Sequence, residues 1–204
     1  MKALVVLPTY NEADNIDKVL ERTLQHPFVD VLVVDDNSQD GTQERVLRWM
    51  EKTSRVNLLK RHTKLGLGTA YVEGFKWGLE RDYELFFEMD ADLSHDPLDI
   101  PRFVEKAEEG CHLVIGSRYT KGTISVVGWD FKRLLISKFA NFYATTILGV
   151  SQFTDITSGY RCYKREVLEK IDLKGIKSNG YAFQIEMFYK TYKLGFRVCE
   201  IPII

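Results

Sequence analysis

The chain has 204 residues, 45% of them hydrophobic and 28% charged, with a formal net charge of −1. That length suits one large domain with a sizeable core, and the near-zero charge gives no basis for a nucleic-acid partner. No window approaches the roughly 20 apolar residues of a membrane span, and the first apolar run ends at Pro8, too early for a signal peptide. Cys111, Cys162 and Cys199 stand far apart and form no metal-ligand spacing, so free buried thiols in a reducing compartment are expected.

In chain order, residues 3–7 (ALVVL) form an apolar run of strand length. Ile16, Val19, Leu20 and Leu24 then fall at helical spacing. Residues 31–34 give a second buried strand, and Thr42 is placed to cap a helix carrying Val46, Leu47 and Met50. A third strand covers 56–59. The helix 67–79 has Ala70, Gly74 and Gly78 on a close-packing face. A fourth strand, 85–89, is followed by Pro97 at a helix start, with Ile100, Phe103, Val104 and Ala107 on one side. Residues 113–115 make a fifth strand. Beyond it come a long aromatic-rich helix at 131–148, a segment 161–163, helices near 165–171 and 181–194, and a strand at 197–203. The run "EIPII" is an abrupt end for a domain, so further sequence is expected after Ile204. Strands apolar on both faces, alternating with amphipathic helices, predict an α/β fold with a mostly parallel sheet covered on both sides.

In such sheets ligands bind beyond the carboxyl ends of the strands. There the sequence places Glu12, Asp35, Asp36, Asp90, Asp92 and Arg118. So many acids on one edge repel one another, and a divalent cation is the simplest compensation; carboxylates suit Mg²⁺ or Mn²⁺. Asp90 and Asp92 are the candidate metal ligands. Asp96, directly before Pro97, reads as a helix cap. No GxGxxG follows the first strand and there is no GxxxxGK[ST], which excludes a dinucleotide dehydrogenase and a P-loop enzyme. Gly66-Leu67-Gly68 reads as structural. No histidine joins a Ser or Cys in a triad, and His95 reads as a surface residue.

Five segments, "VVLPTYNEADNI", "VVDDNSQDGT", "KLGLGTAYVEG", "EMDADLSHDP" and "VIGSRY", resemble the inverting family 2 glycosyltransferases of GT-A fold. "GWDFKRLLISKFANFYATTILG", "TDITSGYRCYKREVLEKI" and "NGYAFQIEM" narrow the resemblance to the dolichol-phosphate mannosyltransferase (polyprenol monophosphomannose synthase) branch. The resemblance covers nearly the whole chain. It implies a single catalytic domain, with a nucleotide-binding half at 1–120 and an acceptor-side half at 121–204. It also implies transfer of mannose from GDP-mannose to a polyprenyl phosphate. Pro8, Tyr10, Glu12, Val34 and Asp36 would line the nucleotide pocket. Asp90, Ala91 and Asp92 would hold metal and diphosphate, and Arg118 a donor phosphate. Ser94 stands where some relatives carry a metal-reaching Gln.

An anionic phosphate acceptor has little need of a general base. Asp92, Arg118 and Arg133 are the candidate catalytic residues, Arg133 with Lys132 for the lipid phosphate; a solvated helix start explains Lys132 and Arg133 equally. The helix 131–148 reads either as membrane-interfacial or as a buried core or dimer helix. A peripheral enzyme on the cytosolic membrane face is expected, with a partner membrane subunit or an extra C-terminal segment. The alternatives are UDP-glucose or another donor with a different acceptor, or a non-catalytic subunit of the same fold.

Overall fold

The computed structural model describes residues 1–119 and 131–203, with backbone alone for 131–134 and 137. Its strands are β1 (Ala3–Thr9), β2 (Val29–Asp35), β3 (Val56–Lys60), β4 (Leu85–Glu88), β5 (Leu113–Ser117), β6 (Arg161–Lys164) and β7 (Val198–Pro202). The helices are α1 (Ile16–Thr23), α2 (Thr42–Lys52), α3 (Leu67–Leu79), α4 (Ile100–Glu108), α5 (Phe131–Ile147), α6 (Arg165–Lys170) and α7 (Gly180–Lys193). They form an α/β structure around one mixed sheet of order β3-β2-β1-β4-β6-β5-β7.

Only β6 runs against the rest, pairing antiparallel with β4 and β5. The carboxyl ends of β1, β2, β4 and β5 therefore share one edge, as the sequence predicts. The chain entering β6 arrives at that same edge, which brings residues 154–160 beside it. Strand order reverses between β1 and β4, which opens a crevice there.

Alternation along each strand fills both faces. Ala3, Val5 and Leu7 of β1 join the core on the side of α1 and α4. Leu4 and Val6 join the core under α3 and α7. A Cβ at Gly74 would overlap Val6, and one at Gly78 would lie 2.5 Å from Phe86, so α3 rests its backbone almost on the sheet.

Two expectations are corrected. Cys111 and Cys199 are joined in a disulfide with Cα atoms 6.0 Å apart. They are 88 residues apart in sequence, and only the parallel pairing of β5 with β7 brings them together. Cys162 is free and buried. Thr42 is not the cap of α2 but its first residue. Asp40 accepts from the Thr42 N–H at 3.1 Å, while the Thr42 hydroxyl accepts from the Glu12 N–H at 2.9 Å, tying the β1 loop to α2. Asp96 does cap as read, accepting from Leu98 N at 3.1 Å.

Gly74→Ala should destabilise the protein by about 1–3 kcal/mol through overpacking against Val6. Urea unfolding measures it, and an unchanged midpoint would show that α3 has room to move.

Candidate active site

Two cavities meet at the carboxyl end of β4. One, of about 270 Å³, lies over the ends of β1 and β2 and is lined by Pro8, Tyr10, Glu12, Asp36 and Lys64. The other, of about 310 Å³, lies toward β5 and is lined by Ser94, Arg118, Asp155 and Gln184. Asp90 and Asp92 line both. The acid pair thus stands in the wall between them.

Most acids at this edge are already engaged. Asp35 accepts from Thr9 Oγ1 at 2.7 Å, from Ser38 N at 2.9 Å and from Gln43 Nε2 at 2.5 Å, so it braces the β2 loop. Asp36 pairs with the buried Arg61 at 2.5 Å and accepts from the N–H groups of Leu65 and Gly66. Arg61 also donates to the Gly66 carbonyl at 2.9 Å, which seats the start of α3. The Lys64 ammonium lies 4.0 Å above the Tyr10 ring, itself exposed on the rim.

Asp90, Asp92 and Glu12 differ. Among the described residues none of the three pairs with a lysine or arginine. Glu12 accepts from Asn15 Nδ2 at 3.1 Å. Burial raises its pKa, and the nearby Asp92, Asp40 and Asp90 charges raise it further. Burial also opposes ionisation of Asp92, but hydrogen bonds from Ser94 outweigh it and hold the carboxyl below its ordinary range. Asp92 is therefore ionised at neutral pH. Two carboxylates at a rim, belonging to no group of three or more His, Cys, Asp or Glu side chains that could cage an ion among the described residues, fit one kind of divalent site. It is the kind in which substrate phosphates and water complete the coordination.

Arg118 reaches the second cavity from the end of β5. Its N–H donates to Asp155 at 3.1 Å and its guanidinium to the Ser94 carbonyl at 3.3 Å. Glu200 on β7 holds the same loop, accepting from Asp155 N at 2.8 Å and Thr154 N at 2.9 Å. The buried Arg161 donates to the carbonyls of Ser158, Gln184 and Ile156, which fixes the cavity floor.

Of the other predicted residues, Ala91 lines the first cavity between Asp90 and Asp92 and also packs against the core beside α4. Val34 is fully buried on the α3 side and does not reach the cavity wall. The side chains of Lys132 and Arg133 lie outside the described residues. His95 is corrected: it is 2% exposed, stacked on Tyr160 with centroids 4.9 Å apart, and burial lowers its pKa. Arg61 and Lys64 were not singled out by sequence. Reading the end of β3 as the other strand ends were read would have found them.

Residues 4–172 match the sequence model of glycosyl transferase family 2. The chain belongs to that family. A polyprenol monophosphomannose synthase of Mycolicibacterium smegmatis is 46% identical over 205 residues, covering 99% of this chain and 76% of the relative. An undecaprenyl-phosphate mannosyltransferase of Micrococcus luteus is 45% identical over 204 residues, covering 100% and 83%. A mannosyltransferase from Pyrobaculum calidifontis, solved with GDP-Man and Mn²⁺, superposes with a TM-score of 0.68 at 22% identity; this chain is covered to 98% and spans 55% of that one. Glucosyl-3-phosphoglycerate synthase from Mycobacterium tuberculosis, solved with Mn²⁺ and UDP-glucose, gives 0.71 at 20% identity, covering 99% and 70%. At those identities the likeness establishes the fold alone, the GT-A form of α/β structure. Family membership makes the chain a glycosyltransferase.

Behind the acid pair lies Glu88, fully buried, with neither oxygen in a hydrogen bond. Burial pushes its pKa up to about 7 from 4.5; Arg161, opposite it on β6, pulls the other way. An acid raised on folding binds a proton that the unfolded chain has released. Stability is therefore lost as pH rises from about 4.5 to 7, by about 3 kcal/mol for this group. Urea unfolding at pH 5 and pH 8 should show that loss in the wild type and little of it in Glu88→Gln. Parallel pH slopes for the two proteins would contradict it.

Proposed function

We propose that the enzyme transfers mannose from GDP-mannose to a polyprenyl phosphate, inverting the anomeric centre, with Mg²⁺ or Mn²⁺ held by Asp90 and Asp92. The geometric observation that carries this reading is that these two acids line both cavities. A donor diphosphate on the β1–β2 side would meet an acceptor on the β5 side across that wall. The substrate class comes from the two relatives of 45–46% identity over nearly the full chain, named for polyprenol monophosphomannose and undecaprenyl-phosphate mannosyl transfer. The nucleotide rests on the resemblance in sequence and on the GDP-Man in one structure of the same fold.

The residues divide the work. Tyr10 and Lys64 flank the nucleotide cavity, and Asp36 with Arg61 keeps its far wall in place. The bound cation would supply countercharge for the departing diphosphate. Arg118, fixed through its backbone by Asp155, presents a guanidinium to phosphate oxygens in the second cavity. Asp155 and His95 line that cavity, but both are engaged with backbone N–H groups. Neither is placed to take a proton from a hydroxyl. A phosphate acceptor, already anionic, needs no such base.

The lipid end of the acceptor has a matching surface. On α5, Ile136, Phe139, Phe142, Tyr143 and Ile147 are each exposed by 59% or more. Tyr119 lines both the second cavity and an apolar groove along α5. This favours the interfacial reading of the helix over the buried one. Among the described residues no helix is long and apolar enough to cross a membrane. We place the enzyme on the cytosolic face of the membrane; the Cys111–Cys199 disulfide is the observation that stands against that side.

Incubation with labelled GDP-mannose, Mn²⁺ and undecaprenyl phosphate should give labelled mannosyl lipid, and labelled UDP-glucose should give none. Lipid labelling from UDP-glucose alone would reject the donor. Asp92→Ala should lower the transfer rate about 100-fold or more, since a metal's charge contributes several kcal/mol at a developing anion. Wild-type rates in that variant would remove Asp92 from the site.

A further inference from the structure

The acid pair sits on a short loop that closes on itself. The pairing of β4 with β1 and β6 ends at Glu88, so the Asp90 N–H has no strand partner. His95 provides one, its Nδ1 accepting from Asp90 N at 3.0 Å. An Nδ1 that accepts leaves the ring proton on Nε2. Nε2 stands 3.8 Å from Asp90 Oδ2. On the other side Tyr71 of α3 donates its hydroxyl to Asp90 Oδ1 at 3.3 Å. Asp90 is thus held at its backbone by His95 and at Oδ1 by Tyr71.

Neither side chain can drift. Tyr71 is fully buried, stacked between Phe75 and Phe183. His95 lies against Tyr160, whose hydroxyl donates to the Asp96 carbonyl at 2.9 Å. The loop can return His95 beneath Asp90 only by reversing direction, and it does so at Leu93, a non-glycine residue at φ +65°. The Leu93 side chain packs on the core, which supports that conformation. His95 holds the Asp90 backbone and Tyr71 its carboxylate, so the side chain is oriented while its charge is left for a cation, as partners of metal-binding carboxylates do.

We propose that His95, with Tyr71, is a positioning residue for Asp90, fixing the carboxylate that receives the cation and the donor diphosphate. This rests on reading the site as a nucleotide-sugar pocket. The step it governs is binding, so affinity reads it directly.

The test is calorimetric titration of GDP with and without Mn²⁺ into full-length wild type and variants, with Tm recorded for each. His95→Phe keeps a ring against Tyr160 but has no acceptor. His95→Asn loses the ring and places Oδ1 where Nδ1 stood. The Phe variant should lose about 10–100-fold of Mn²⁺-dependent GDP affinity, and the Asn variant should recover most of that loss despite its poorer packing. A purely structural role predicts the opposite order. Tyr71→Phe, which removes one hydroxyl and keeps the stack, should weaken the same Mn²⁺-dependent binding by a smaller factor. Undiminished Mn²⁺-dependent affinity in His95→Phe, or equal losses in the Phe and Asn variants, would overturn the proposal. Wild type binding no GDP with Mn²⁺ would instead refute the reading of the site, and the proposal with it.

Discussion

The structure turns on an electrostatic conflict at the end of one strand. Asp90, Asp92 and Glu12 converge on a single edge, and no lysine or arginine among the described residues pairs with them. Burial raises the Glu12 pKa, with the Asp92, Asp40 and Asp90 charges adding to it, while hydrogen bonds from Ser94 offset the burial of Asp92. Folding alone gains nothing from such an arrangement, because like charges near a protein surface cost free energy. A ligand that brings positive charge relieves it. The proposed cation, with the phosphates that accompany one, would supply that relief.

The rest of the edge confines the excess charge to that spot. Arg61 takes up Asp36, backbone and hydroxyl donors take up Asp35, and Glu200 is satisfied by the N–H groups of Thr154 and Asp155. Arg161 has its N–H groups on carbonyls of the opposite wall and leaves Glu88 without a hydrogen bond. These contacts fix four loops from different parts of the chain around two cavities. They also anchor Arg118, whose backbone N–H donates to Asp155 and whose guanidinium reaches a carbonyl of the acid loop.

Much of this was legible in the sequence. Apolar strands of five to seven residues (β1, β2, β3) alternate with amphipathic helices, and the rule that ligands bind beyond strand ends then picks out Glu12, Asp90, Asp92 and Arg118. Strand direction was not legible, because the four residues of β6 carry no mark of antiparallel pairing. The disulfide depends on the register of β5 with β7, which no local pattern encodes. Burial of His95 follows from the reversal at Leu93, a residue type that rarely adopts positive φ. On α5 the sequence shows an apolar helix but not what covers it; its exposed face appears only once the neighbouring elements are in place.

The central claim is that Asp90 and Asp92 form the boundary between a nucleotide cavity and an acceptor cavity. A crystal structure with Mn²⁺ and GDP, using the anomalous signal of manganese, tests it most directly. The account predicts one manganese peak in contact with both carboxylates, with GDP over the ends of β1 and β2 beside Tyr10 and Lys64. Manganese away from this pair, or GDP in the cavity of Arg118 and Gln184, would contradict it.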